Sequence, residues 1–290
     1  MSAAPFVVGP VVEASDGVAI ATYDLGGEGP PLILAHATGF HGRVWLPAAR
    51  NLRDHFHCWA FDFRFHGASG RPPSGDYHWD GFGRDVLAVV AGLRMEQPFA
   101  VGHSSGGAAV LLAEEARSGT FAALYCYEPV VPADRTLGRS LRGDDLAAAA
   151  RRRRDVFPSR AEAFDNYRAK QPFPTFDPDA LSAYVEWGFR DLPDGTVQLA
   201  CRPEDEARIY EAVWDHQAYA RLHAVACPVA LASGGPRSQF GVEIIKALAA
   251  RMTRPTRIEV HDELGHFGPL ERPQIVAAAV TQALAALASG

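Results

Sequence analysis

The sequence predicts an α/β fold, in which a mostly parallel central sheet is flanked by helices and interrupted once by a helical insertion. Three observations predict it. Strand-like and helix-like segments alternate from the N-terminus to Tyr127, the pattern of parallel strands joined by helical crossovers. Over about residues 133–225 the pattern turns helical, and near Cys227 the alternation resumes. The chain therefore reads as a core of residues 1–132 and 226–290 with a helical cap of residues 133–225. Its 290 residues, 48% hydrophobic and 21% charged, suffice for one large core and carry no disorder signature. A net charge of −6 argues against nucleic acid as a partner.

Taken in order, residues 31–35 form an apolar run that ends at His36, and residues 98–101 read as a second short buried strand. Residues 106–117 follow as a helix, with Leu111 and Leu112 among alanines, and residues 122–127 as a third strand. Within the insertion, Ser159 with Glu162 three residues later is a capping box. Asp177-Pro178 opens a helix with Leu181, Tyr184 and Val185 on one stripe. Pro203 opens another, where Glu204, Asp205 and Glu206 suit the positive end of the helix dipole. Residues 228–232 and 256–260 are late strands. The apolar stretch 275–288 contains Thr281 and Gln282 and is too short to span a bilayer, so it reads as a last helix covering the sheet.

Chemistry enters at Gly102-His103-Ser104-Ser105-Gly106. This G-x-S-x-G pentapeptide lies between a strand pattern and a helix pattern, the setting in which the turn holds its serine strained and exposed. Side chains at the flanking glycines would collide with the neighbouring strand and helix. Ser104 is thus the candidate nucleophile, and it needs a base and a group to orient that base. The candidate base is His266, in the loop Glu263-Leu264-Gly265-His266-Phe267-Gly268-Pro269 after a late strand.

Together these motifs resemble the α/β-hydrolase superfamily over nearly the whole chain. His36-Ala37-Thr38-Gly39 is similar to that family's His-Gly oxyanion turn, and residues 61–69, containing Asp62-Phe63-Arg64-Phe65-His66-Gly67, resemble its Asp-x-Arg-Gly-His-Gly-x-Ser loop. Ala37 and Phe65 stand where the family usually has glycine. The resemblance implies an acid after the strand at 228–232, but Ser233-Gly234-Gly235-Pro236-Arg237-Ser238 carries no carboxylate there. One strand earlier, Glu128 follows Tyr127, a position from which some members, including certain haloalkane dehalogenases, take their acid. Glu128 is therefore the expected third member. An ion pair with a cap arginine, or a capping acceptor at the cap's entrance, is the alternative, and Asp262 is the runner-up acid.

The backbone N–H groups of Thr38 and Ser105 are the expected oxyanion donors, with Gly39 as a substitute for the former if the altered turn is rotated. Phe40 and Phe267 adjoin these motifs and are expected in the substrate pocket. Trp45, Tyr77, Trp79, Trp187 and Trp214 are core candidates as much as pocket candidates. The run Arg151-Arg152-Arg153-Arg154 could bind an anion, but at 100° per residue its charges spread around a helix. It reads as a solvated cap helix with one or two interdomain ion pairs.

The expected function is hydrolysis of a carboxylic ester, lactone or related small-molecule acyl substrate through an acyl-enzyme, without metal or organic cofactor. A serine nucleophile argues against the dehalogenase and epoxide hydrolase chemistries, which use aspartate. A carbon–carbon bond hydrolase of diketone-like substrates and a small-molecule receptor retaining a slow triad are the alternatives. Cys58, Cys126, Cys201 and Cys227 have no metal-ligand spacing, and no basic-then-apolar leader opens the chain. A cytoplasmic protein without membrane or nucleic-acid partners is expected.

Overall fold

The computed structural model describes residues 6–132, 143–238, 240–254 and 256–289. Eight strands form the main sheet: β1 (Val7–Val8), β2 (Thr22–Gly26), β3 (Pro31–Ala35), β4 (His57–Phe61), β5 (Phe99–His103), β6 (Leu124–Tyr127), β7 (Val229–Gly234) and β8 (Thr256–His261). Their order is β1-β2-β4-β3-β5-β6-β7-β8. β2 is antiparallel to both of its neighbours, and every other pairing is parallel.

Successive strand residues point to opposite faces, so the sheet feeds two apolar layers. Leu32, Leu34, Ala60 and Val101 pack with Ala48 and Leu52 of α1 (Leu46–Leu52) and with Val276 and Val280 near the C-terminus. Ile33, Ala35, Phe61 and Ala100 pack with Val86 and Val89 of α2 (Asp80–Gly92) and Val110 of α3 (Ser105–Ala116). Covering both faces is why these strands read as continuous apolar runs rather than alternating ones.

Register then sets the site. Ala35 lies opposite Gly102, His103 opposite Tyr127, and Tyr127 opposite Ala232. The residues that follow β3, β5 and β6 therefore emerge side by side at the carboxyl edge of the sheet, where open α/β folds place their ligands. Close approach of α3 to β3 requires Gly106, because a Cβ there would stand 2.3 Å from the Ala35 carbonyl oxygen.

Between β6 and β7 the described insertion contains α4 (Gly143–Arg151), α5 (Arg160–Arg168), α6 (Pro178–Trp187), α7 (Pro203–Glu211) and α8 (Ala218–Arg221). Ser159 caps α5 by accepting from Glu162 N, at 3.2 Å, and Asp177 caps α6 through Asp179 N and Ala180 N. The insertion departs from a purely helical reading. Phe189–Asp191, Val197–Leu199 and Val156–Phe157 form a three-stranded antiparallel sheet. Its hairpin turns at Pro193-Asp194-Gly195, where Gly195 has φ +85° and Asp194 accepts from Thr196 N, a turn signal that helical periodicity misses. After β7 come α9 (Gly241–Ala249), α10 (Gly268–Glu271) and α11 (Pro273–Ala288), which packs on α1. All four cysteines are buried and free. Among the described residues no helix is long and apolar enough to cross a membrane.

Candidate active site

Ser104 links β5 to α3 with φ 56° and ψ −117°, a left-handed backbone that disfavours an L-residue by about 1–2 kcal/mol. Neighbouring backbone over-determines it. Ser104 N donates to Tyr127 O at 2.9 Å, and Ser104 O accepts from both Ala108 N and Val130 N. The serine lines a cavity of about 500 Å³, a size suited to a small organic ligand.

His266 lines the same cavity. Its Nδ1 lies 2.7 Å from Glu128 Oε2. A carboxylate accepting at Nδ1 puts the ring proton there and leaves Nε2 free as a base. Glu128 is fully buried and, at φ +44°, also left-handed. Its Oε1 accepts from Gly234 N at 2.6 Å and from Ser233 Oγ at 3.4 Å. Burial pushes this carboxyl up, but its hydrogen bond and charge attraction to His266, with the Ser238 hydroxyl and Gly234 N–H, hold it below its ordinary value. Asp262 is exposed, and the carboxylate on the His266 ring is that of Glu128. Arg237, standing where the resemblance leads one to expect an acid, donates instead to Glu263 O and lies 3.5 Å from Glu271. Among the described residues no direct hydrogen bond joins Ser104 to His266, a contact that commonly tightens only around substrate.

The histidine loop is tied from several sides. His103 Nε2 donates to the His266 carbonyl at 2.8 Å. Burial and the neighbouring His266 keep His103 well below the usual imidazole pKa, as a neutral donor. Tyr127 OH donates to Gly265 O at 2.8 Å, and Glu271 Oε2 accepts from Gly265 N at 3.0 Å. Phe240 stacks on the His266 ring with centroids 4.5 Å apart. Sequence reasoning missed these supports. His103 and Tyr127 adjoin recognised motifs and were discoverable there, whereas Phe240 carries no local signal.

The oxyanion turn lies beside the serine. Thr38 Oγ1 donates to Ser105 Oγ at 3.0 Å, bringing together the two residues whose N–H groups are the candidate donors. Ser105 opens α3, so its N–H has no intrahelical acceptor. Gly39 does not serve as the substitute donor, since its N–H goes to His66 Nε2 at 3.0 Å. His66 Nδ1 in turn donates to Arg64 O, and His36 accepts from Phe63 N while donating to Ala37 O. Burial lowers His36 to about 4 and His66 to about 3, so both remain neutral and tie the turn to the loop after β4. Phe65 keeps the backbone a glycine would adopt, at φ +67°, and its buried ring stacks 4.3 Å from that of Tyr77. Ala37 is buried and its carbonyl accepts from Phe40 N, closing the turn.

Phe40 and Phe267 both line the cavity, with ring centroids 5.9 Å apart. Trp79 joins them, whereas Trp45, Tyr77, Trp187 and Trp214 are not part of its wall. The arginine run is largely solvated, with Arg151, Arg152 and Arg154 exposed, but the helix ends at Arg151 and the ion pairs of the run lie within the insertion rather than between domains. Arg151 pairs with Glu204 and Glu211, both in α7 of the insertion itself. Arg152, Arg153 and Arg154 line the cavity. Arg153 donates to Glu206, to the Tyr184 hydroxyl and, at 3.0 Å, to the Tyr167 hydroxyl. Among the described residues no group of three or more His, Cys, Asp or Glu is placed to hold a metal ion.

With this geometry in hand, the chain can be compared with known proteins. A putative carbamate hydrolase, RutD, of Agrobacterium fabrum is 31% identical over 80 residues, 28% of this chain and 31% of that protein. The match thus spans about a third of that relative's length. Among solved structures, E-2-(acetamidomethylene)succinate hydrolase superposes with a TM-score of 0.84 at 19% identity, covering 97% of this chain and 99% of that one. A thermophilic esterase from Thermogutta terrifontis gives a TM-score of 0.72 at 19% identity, covering 98% and 99%. At such identities the likeness speaks for the fold. The alpha/beta hydrolase family model matches residues 32–279, from β3 into α11, and the chain belongs to that family.

Proposed function

We propose that the chain is a serine hydrolase of carboxylic esters, lactones or related acyl compounds, with Ser104, His266 and Glu128 as its triad. The observation that carries this reading is the 2.7 Å contact between His266 Nδ1 and Glu128, at the sheet edge that also holds Ser104 at φ 56°. In this mechanism Ser104 Oγ attacks the substrate carbonyl carbon while His266 Nε2 takes the hydroxyl proton. Glu128 stabilises the imidazolium, and the Thr38 and Ser105 N–H groups receive the negative charge on the carbonyl oxygen, worth roughly 3 kcal/mol per donor. Collapse of the tetrahedral intermediate expels the leaving group with the proton from His266. Water, deprotonated by His266, then cleaves the acyl-enzyme and restores Ser104.

Residues 133–225 act in this reading as a cap over a core of residues 1–132 and 226–290. The cap excludes water and shapes the acyl site against Phe40 and Phe267. Four free, buried cysteines support a reducing compartment, and we place the protein in the cytoplasm.

Two measurements test the reading. A fluorophosphonate probe should label Ser104, and p-nitrophenyl esters should be turned over. Ser104→Ala should abolish labelling and lower turnover by roughly 10³-fold or more while the protein stays folded. Labelling without turnover of esters, lactones or thioesters, but with cleavage of a diketone, would move the reading to carbon–carbon hydrolysis. Full activity in a folded Ser104→Ala protein would end it.

A further inference from the structure

We infer that the substrate carries an anionic group, carboxylate or phosphate, held at the cavity wall by Arg152 and Lys170 while its apolar part lies against Phe40 and Phe267. The inference rests on the acyl-hydrolase reading above and names the substrate class for that site.

Charge placement carries the argument. The chain as a whole has a net charge of −6. Yet among the described residues the insertion sends Arg152, Arg153, Arg154 and Lys170 to the cavity wall against a single carboxylate, Glu206. Glu206 is already committed, because it accepts from Arg153 and the two charges offset each other. Arg154 turns toward the small sheet, with its Nε on Val156 O and its guanidinium 4.4 Å over the Phe157 ring. Arg152, just past α4, and Lys170, just past α5, remain. Both are exposed, and among the described residues neither has a carboxylate within ion-pair distance.

The outward face of the same insertion is different. There Arg151 pairs with Glu204 and Glu211, and Arg208 with Glu204. Among the described residues Arg151 and Arg208 are matched by carboxylates, as Arg153 is at the cavity, while Arg152 and Lys170 at the cavity wall are not. Apolar walls focus such a field and raise the local concentration of an oppositely charged ligand.

Deeper in, the Tyr167 and Tyr184 hydroxyls both accept from Arg153, so each phenolic proton must be directed elsewhere. Both tyrosines line the cavity beside Arg153. This wall offers donors and positive charge, the complement of an oxygen-rich anion.

Two matched substrate pairs on the full chain test this and separate the two sources of the anion. The first is mono-p-nitrophenyl suberate against p-nitrophenyl octanoate, which places a carboxylate on the acyl chain. The second is octanoyl-coenzyme A against octanoyl-N-acetylcysteamine, which places phosphates on the leaving group. The anionic member of at least one pair should be preferred by about tenfold or more in kcat/KM, chiefly through KM. Raising salt from about 0.01 M to about 0.5 M should shrink that preference. The double variant Arg152→Gln/Lys170→Gln should bring the ratio near unity, and Arg152→Glu/Lys170→Glu should invert it. Both sites are exposed, so these variants keep the fold. A neutral member equal or superior in both pairs, or a preference that survives the double variant, overturns the inference while leaving the hydrolase reading intact. No turnover of any of the four together with no fluorophosphonate labelling removes the hydrolase reading itself, and this inference with it.

Discussion

At the sheet edge Phe65, Ser104 and Glu128 all sit at positive φ, and backbone hydrogen bonds pin each in place. The insertion meets the same cavity with Arg153, Tyr167 and Tyr184, which belong to helices or lie just past them and hold one another through side-chain contacts. Among the described residues no non-glycine of the insertion has a positive φ. Arg94 and Gln97, before β5, are also at positive φ, but in the proposed mechanism Ser104 and Glu128 are the left-handed residues that position reacting atoms, and the side-chain network of the insertion would meet the ligand. Reaction geometry tolerates errors well below an ångström, and over-determined backbone at Ser104, together with the side chains that hold His266, supplies that precision. Wall composition can change residue by residue without disturbing the sheet.

The sharpest test of this contrast is the acid. In the proposed mechanism Glu128→Gln keeps the side-chain shape but removes the charge that would stabilise the His266 imidazolium, and kcat should fall by up to roughly 10⁴-fold. Asp262→Asn, on the exposed side of the histidine loop, should stay within about twofold. Steady-state kinetics on both folded variants decides it, and the reverse order would assign Glu128 a structural role.

A smaller but still large effect separates two glycines. Alanine at Gly106 would drive its Cβ to 2.3 Å from the Ala35 carbonyl oxygen and 2.6 Å from that of His36. These are backbone atoms of the sheet edge and cannot move aside, so Gly106→Ala should lower Tm by more than about 10 °C or prevent folding. Alanine at Gly39, at φ +82°, meets the Glu206 carboxylate oxygen at 2.6 Å, the far end of a side chain from the insertion. Glu206 can shift, leaving mainly a backbone penalty of about 1–2 kcal/mol. Thermal melts that rank the two variants the other way would show that the insertion is the more rigid partner.

The smallest effect concerns the seam between the two regions. Glu115 of α3 pairs with Arg221 of α8 at 3.3 Å, while its other carboxylate oxygen is buried without a partner. Burial raises this carboxyl to about 8, outweighing Arg221. The native state therefore binds a proton that the unfolded chain releases near 4.5. Stability must fall as pH rises between these two values, because the native state is then the more protonated one. Glu115→Gln should flatten that decline, read as the difference in Tm between pH 5 and pH 8. A wild-type chain no more sensitive over this range than the variant would mean that Arg221 holds Glu115 ionised.

Much of the sheet edge could be read directly from the sequence. Ser104 announces itself because a strand, a tight turn and a helix are consecutive in the chain. His266 follows from its place after a late strand. Glu128 emerged because Ser233 to Ser238 offers no acid, and the register of β6 beside β7 brings it to the histidine. Phe65 was visible as a departure from glycine, but the sequence did not say whether the turn would survive it. The stacking of Phe65 on Tyr77 accompanies a turn that keeps its left-handed backbone.

Tertiary structure alone decided the rest. Arg153 and Glu206 are 53 residues apart and meet because α4 packs on α7 through Ala147, Ala150 and Ala207. Periodicity placed each arginine on a helix circumference but gave no direction to the cavity. Commitment of the Gly39 N–H to His66, stacking of Phe240 on His266 and tying of the histidine loop by His103 likewise join segments far apart in the chain. Strand alternation, helix periodicity and turn chemistry are set by neighbours within a few residues, so sequence determines them locally. Which buried donor meets which acceptor depends on how completed elements cross, and that is fixed only when the sheet and the insertion pack together.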